Sequence, residues 1–511
     1  MSLGVPVMHR NTSVVLSCIA LLAAVGAIIS RAGPLDPPAG VVSSTYKTLT
    51  EVEPRSAINA TNTPGDADSL FKITQPGSYY LTGNITGVVG KHGIEIVASG
   101  VSLDLNGFDL VGVTGMGAFD GVSVTVDSLR DITVLNGSVR NWGDGGVDLG
   151  FLAFGCRITG VLVSGNAGLG INGGVVCTVR DCTAAFNTLS GIRTNNGSSI
   201  SNCSAYSNAG SGFQVNNACV ISSSTAYLNT LDGILTGTGC RIVDTSAFTN
   251  TDDGIQVGEG CAISGCTLTS NAGKGIRAGD ACTISGSATN RNGSDGINAG
   301  NSATILDCSF GFNGGAGAIA VNGAEISNCA ARSNTLSGIA ANSTCNFSRC
   351  TAQSNGDDGI NVSSGNTITN CTASDNGSDG ISVSNTSIVS DCTVSLNMLD
   401  GIKANQNCVI RDNNCSINGL GGVGAGVHLV FGLNHVEGNN CDGADRGIQA
   451  DTGGNIITRN TCSLNSIDWV IAANNAVGPI LDRRNSGNAA ISGFSAPTSL
   501  NTTDPHANFS Y

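Results

Sequence analysis

The chain has 511 residues, of which 40% are apolar, 4% aromatic and 12% charged, with a formal net charge of −14 and a pI near 4.6. So acidic a surface repels phosphodiester backbones and anionic lipid, which excludes nucleic acid as a partner and leaves neutral glycans, cations or proteins. The apolar share can fill a large core, but one of small aliphatic side chains, which suits one elongated domain better than three globular ones.

At the N-terminus, His9 and Arg10 precede an apolar run from Val14 to Ile29, followed by Arg31, Gly33 and the stretch from Pro34 to Pro38. This is the pattern of a secretory signal, and Met8 is an alternative start because nothing before it contributes to that pattern. The run is short for a membrane span, so membrane contact is expected only through an uncleaved signal. Residues 1–33 are read as the signal and 34–69 as a leader and N-terminal cap, with Tyr46 to Val52 a candidate capping helix. A secreted, periplasmic or cell-surface location follows.

From Phe71 the text turns to strand alternation, with Val101, Leu103 and Leu105 set against Ser102, Asp104 and Asn106. Between residues 70 and 165 the Gly-apolar marks at Gly93, Gly121, Gly146 and Gly170 give early rungs of 24 to 28 residues. The surplus must loop outward, and Trp142 and Asp144 lie there.

Residues 166–475 hold the repeat. Thirteen asparagines from Asn166 to Asn418 and twelve glycines from Gly170 to Gly401 keep a step of 21 residues. Units this short, rich in Gly, Ser, Thr, Asn and Val, cannot supply the helical pair of a tetratricopeptide or ankyrin repeat. Alternation such as Cys219, Ile221, then Ser224, Ala226, then Ile234 predicts three short strands per turn. Proline, which cannot donate to a ladder, is absent between Pro76 and Pro479. Together these predict an all-β, single-chain parallel β-helix of about 21 residues per rung. It would have about 16 or 17 rungs and a length of about 80 Å at the strand spacing.

Within such a coil, each residue type stacks on its copy. Ile192, Ile234, Ile255, Ile276 and Ile297 form an inward column. The asparagines are expected in the left-handed conformation at a corner, their amides hydrogen-bonded from rung to rung, with glycine relieving the backbone at the bend. Of 20 cysteines, eight fall in the column of Cys177 and eight in the column of Cys182. Their substitutes are Ala, Ser, Thr, Val and Asn, which favours small buried free thiols over disulfides or metal ligands, although some pairing stays open.

Asp232, Asp253, Asp295, Asp358, Asp379 and Asp400 all stand just before the repeat glycine, where a carboxylate can cap a turn through a backbone N–H. Stacked carboxylates repel, so Asp357, Asp358, Asp379 and Asp400 are a candidate Ca²⁺ site. No other cofactor is called for. Arg193, Arg277 and Lys403, two places after the glycine, read as a solvated face. Beyond Asn418 the phase shifts: Gly426 and Gly447 keep the step, and the motif becomes Asn434-x-x-x-x-Asn439 and Asn455-x-x-x-x-Asn460. His428, His435, Asp442, Asp445 and Arg446 near this shift read as a surface turn, and residues 476–511 as a C-terminal cap and tail.

The Asn-x-x-x-Gly-Ile unit, over about residues 70–475, resembles the right-handed parallel β-helix superfamily that includes pectate lyases and polygalacturonases. It is similar to the repeats of carbohydrate-binding and sugar-hydrolase β-helices and of the periplasmic nitrous-oxide-reductase maturation β-helix. The resemblance implies a right-handed coil. It also draws attention to Asp252-Asp253 and its copy Asp357-Asp358, since polygalacturonases use paired aspartates to protonate the leaving oxygen and activate water. The Gly-His-Gly and Arg-Ile-Lys segments of those enzymes are absent, as is the Arg-x-Pro-x-x-Arg of one lyase group, and no histidine lies between His92 and His428. Two readings stand. One is a non-catalytic exported scaffold that binds a polysaccharide or a surface protein. The other is a lyase or hydrolase of uronate-type glycans, with Asp252, Asp253, Asp357 and Asp358 as catalytic candidates.

Overall fold

Strand follows strand every few residues, and every strand pairing is parallel, for example Thr178–Arg180 with Ser199–Ser201 and Ile192–Thr194 with Phe213–Val215. The computed structural model describes residues 53–482 and 503–510, and Ser56 onward forms one compact unit. The expected signal, most of the leader and the Tyr46–Val52 helix lie outside the described residues.

One turn shows the plan. Thr178–Arg180 belongs to sheet one, Thr183–Ala185 to sheet two and Ile192–Thr194 to sheet three. Each pairs with the strand 21 residues further on, Val179 with Ile200, Ala184 with Ala205 and Ile192 with Phe213. Among the described residues, sheet three holds 19 strands, from Ser69–Ile73 to Ile467–Ile471. That exceeds the 16 or 17 rungs expected, because the longer early rungs and those after the phase shift also pair in register. In the early rungs, Thr133–Arg140 and Arg157–Ser164 are single strands that serve sheets one and two at once, bent at Asn136 (φ 56°) and Gly160 (φ 64°).

The inward column is as expected, with Ile192, Ile234, Ile255, Ile276 and Ile297 fully buried. The corners are not. Each turn places its left-handed residue just before the asparagine, as at Phe186 (φ 57°) and Leu228 (φ 55°), so the asparagine itself is free to point inward. Its amide then does three things. Asn208 Oδ1 accepts both the backbone N–H (3.1 Å) and Nδ2 (2.9 Å) of Asn187, and Asn208 Nδ2 donates to the Ala184 carbonyl (3.0 Å). The ladder repeats this from Asn166 to Asn418.

The glycine column has a different reason from the one expected. Gly191 has ordinary φ, but a Cβ there would stand 2.7 Å from Asn208 Nδ2 and 2.8 Å from the Gly212 carbonyl oxygen. Glycine is required by the closeness of the next rung's ladder, not by backbone conformation.

All 19 described cysteines are free and buried. Their column offers an acceptor to the rung below. Cys240 N–H donates to Cys261 Sγ (3.2 Å), Cys177 N–H to Ser198 Oγ (3.0 Å) and Cys408 N–H to Asn434 Oδ1 (2.8 Å). Thiol, hydroxyl and amide are therefore interchangeable at this corner. The same fact explains the phase shift: Asn434 continues the Cys408 corner and Asn439 continues the Asn413 corner, five residues later in the turn. The second of these ladders runs on through Asn460 to Asn508, in the strand Asn508–Ser510 that closes the C-terminal end against Ile480–Asp482.

Candidate functional site

Sheet three turns one residue per strand outward between two buried ones, and the register sets these in a row. Asn172, Arg193, Gln214, Leu235, Gln256, Arg277 and Asn298 are successive members, and Asn361, Ser382, Lys403, His428 and Gln449 follow further along. The pre-glycine aspartates run alongside.

Each of these aspartates caps a corner, but across rungs and not within its own turn. Asp358 Oδ1 accepts the N–H of Asp379 (2.9 Å), Asp379 Oδ1 that of Asp400 (3.0 Å) and Asp400 Oδ1 that of Ala425 (2.7 Å). Asp232 and Asp253 do the same for Asp253 (3.2 Å) and Lys274 (2.7 Å). One oxygen of each carboxylate is thus committed to the backbone. The other meets a side chain: Asn361 Nδ2 donates to Asp358 Oδ2 (2.7 Å), and Lys403 Nζ lies 3.5 Å from Asp379 Oδ2. His428 is held between Asp400 Oδ2 at Nδ1 (2.7 Å) and Asp451 Oδ2 at Nε2 (3.0 Å).

Burial, reinforced by Asp400, pushes Asp379 up to about 6. Burial raises Asp358 as well. Burial alone would lower His428, but its bonds to Asp400 and Asp451 prevail and hold it above the ordinary imidazole value. The result at the C-terminal rungs is an acid of near-neutral pKa beside a lysine and a doubly bound histidine. By sequence alone, His428 reads as part of a surface turn and Lys403 as part of a solvated face. The insertion before Gly426 breaks the 21-residue step, so no column linked His428 to Asp400.

Of the residues expected to act together, Asp252 and Asp253 converge with Asp232, with carboxylate oxygens within 4.8 Å of one another. Burial, then Asp252 and Asp253, lift Asp232 to about 6. Asp357 accepts the Ser337 hydroxyl (3.2 Å). Among the described residues, the acidic groups of three that converge this closely are Asp232, Asp252 and Asp253, and Asp66, Asp68 and Glu95. Asp357, Asp358, Asp379 and Asp400 are not such a group, since each carboxylate is spent on its own donors a rung apart.

A second polar group lies in the early rungs, where variable spacing hid it. Lys72 Nζ pairs with Asp66 (2.7 Å) and Glu95 (2.8 Å). Asp120 Oδ1 accepts from Gly145 N–H (2.7 Å) and Oδ2 from Ser123 (3.0 Å), and burial followed by Asp148 carries its pKa to about 7. His92 Nδ1 accepts the Asp120 N–H (2.9 Å), so the ring is neutral there, in keeping with a pKa lowered by burial.

Parallel three-strand turns, a buried amide ladder and a polar outward row define a right-handed parallel β-helix. The family model of the right handed beta helix region matches residues 120–283 and 276–407, more than half of the chain, and the chain belongs to that family. No curated protein matches the sequence. Among solved structures, the mannuronan C-5 epimerase A-module of Azotobacter vinelandii is similar at 14% identity and a TM-score of 0.34, over 68% of this chain and 89% of its own. The tailspike protein of E. coli bacteriophage HK620, in complex with a pentasaccharide, is similar at 13% identity and a TM-score of 0.29, over 71% and 73%. A pectate lyase is similar at 17% identity and a TM-score of 0.28, over 42% and 70%.

Proposed function

We propose that this chain is an exported, non-catalytic β-helix that binds a polysaccharide along the outward face of sheet three. The observation that carries this reading is the commitment of the aspartate column: one oxygen of each carboxylate bonds the next rung, so the acids shape the face while Arg193, Gln214, Gln256, Arg277 and Asn298 present donors and acceptors at regular steps. Planar amides and guanidinium groups on rungs about 4.8 Å apart, interrupted at Leu235, suit the hydroxyls of an extended sugar chain. Export rests on the segment from His9 to Ile29. The test is calorimetric titration with neutral and acidic polysaccharides. Binding that weakens at least tenfold in Gln256→Ala with Arg277→Ala is expected, and a wild-type chain that binds none of them defeats the reading.

A second reading is favoured by one arrangement, the Lys403, His428, Asp379 and Asp400 group. There an acid of pKa about 6 stands beside a base and a cation, the parts a uronate lyase or hydrolase requires. Incubation with polyuronates, followed by ultraviolet absorbance for unsaturated ends and a reducing-end assay, separates the two. Products that vanish in His428→Ala would make the protein an enzyme, and their absence from the wild type leaves a binding scaffold.

A further inference from the structure

Sheet two carries a different outward row. Tyr206, Tyr227 and Phe248 stack with ring centroids 4.8 and 5.0 Å apart, and the row continues through Thr269, Asn290, Gly311 and Arg332. Gly311 removes a side chain from this row, and the neighbouring outward positions are only Ala288, Ser309 and Ala330. A depression of about 240 Å³ results, walled by Asn290, Arg332 and Phe312. It is smaller than the ~300–1,000 Å³ of drug-sized pockets, so it suits one ring and its substituent.

Its chemistry is selective. Phe312, held in the left-handed conformation (φ 55°), is 52% exposed. Arg291 covers one side of its ring at 5.4 Å from the centroid. Neither Arg291 nor Arg332 has an acidic partner among the described residues, in a chain of net charge −14. The Asn290 Oδ1 is buried without a partner, and its Nδ2 would stand 3.5 Å from a Cβ at Gly311. Asn290, Ser309 and Arg332 bring donors to a lining that is otherwise largely apolar, and no carboxylate lines it.

We propose that the depression over Gly311 binds an anionic sugar residue, its carboxylate or sulfate received by Arg332 and the Asn290 amide and its C–H face resting on Phe312. Unpaired guanidinium and amide donors call for an anion. The aromatic wall calls for a ring, not a free ion. This site lies on another sheet and does not rest on the sheet-three reading.

The test is calorimetric titration of the full chain with oligogalacturonate, a sulfated oligosaccharide, a neutral glucose oligomer and inorganic sulfate. A Cβ at Gly311 would meet nothing nearer than 3.5 Å, so Gly311→Val is chosen to place its methyl groups in the hollow. Arg332→Ala, at an exposed position, serves if the valine disturbs folding. An anionic oligomer that binds the wild type and weakens at least tenfold in either variant, with the neutral oligomer inert, supports the site, and which anion binds identifies the substituent. The proposal is overturned by no binding of either anionic oligomer, by binding unchanged in both variants, by inorganic sulfate binding as tightly as the oligomers, or by loss through Asp379→Asn on sheet three alone.

Discussion

Asn292 shows what a single residue does in this coil. Its Oδ1 accepts from Asn271 N–H (3.1 Å) and Nδ2 (3.0 Å), while its own Nδ2 donates to Asn313 Oδ1 (3.0 Å) and the Leu268 carbonyl (3.1 Å). Asn292→Ala leaves several buried groups without partners and is expected to cost roughly 3 kcal/mol, measurable by denaturant unfolding. Glycines divide by what they face. A Cβ at Gly275 would stand 2.5 Å from the Gly296 carbonyl oxygen and 2.8 Å from Thr289 Cγ2, whereas one at Gly311 meets nothing nearer than 3.5 Å. Gly275→Ala should therefore destabilise strongly while Gly311→Ala is neutral or stabilising, a contrast readable in paired melting curves.

The buried acids give a signed pH dependence. Asp379 and Asp232 at about 6 and Asp120 at about 7 lie above their unfolded values near 3.8, so the folded chain holds more protons between those limits. Stability from these groups falls as pH rises from about 4 to 7. His428, whose folded pKa is also raised, adds stability that is fully present below about 6.5 and lost as pH rises through its folded pKa. Thermal unfolding should show a higher Tm at pH 5 than at pH 8. Asp120→Asn should flatten the slope, and an unchanged slope would show that this carboxyl does not titrate as its burial requires.

At the scale of the element, the unit is the turn, and its length matters more than its content. Removing residues 262–282, one whole period of 21, joins Cys261 to Thr283 and keeps the ladder, the glycine column and the inward isoleucines in phase. Removing 20 instead turns every following side chain to the wrong face until the chain re-registers. Circular dichroism and melting should find the first deletion folded and the second not. The natural insertion between Asn418 and Gly426 is tolerated because it falls between strands of sheets two and three, where the chain can loop out.

Across the described residues, stability is shared between neighbouring rungs, since the strand ladders join each turn to the turns beside it. The thiol columns add a check on that packing. With 19 described cysteines free and buried, a thiol reagent should label almost none of these in the native chain and all 19 after unfolding in denaturant. Native labelling would mean that the rungs open to solvent, and a shortfall of thiols in pairs after unfolding would mean that some adjacent rungs are disulfide-bonded.

The 21-residue step, the proline-free span and the inward isoleucines were enough to fix the parallel coil and its family from the sequence, because stacking forces chemically equal residues onto equal positions. The free thiols were legible for the same reason, through the serine and asparagine that replace them. The corner geometry was not, since a left-handed residue beside Asn187 and one at Asn187 leave the same periodicity. Nor were the partnerships of His428 with Asp400 and Asp451, of Lys72 with Glu95, or the hollow over Gly311. These depend on which rungs meet after an irregular loop and on how much space one missing side chain leaves, and only the folded chain decides either.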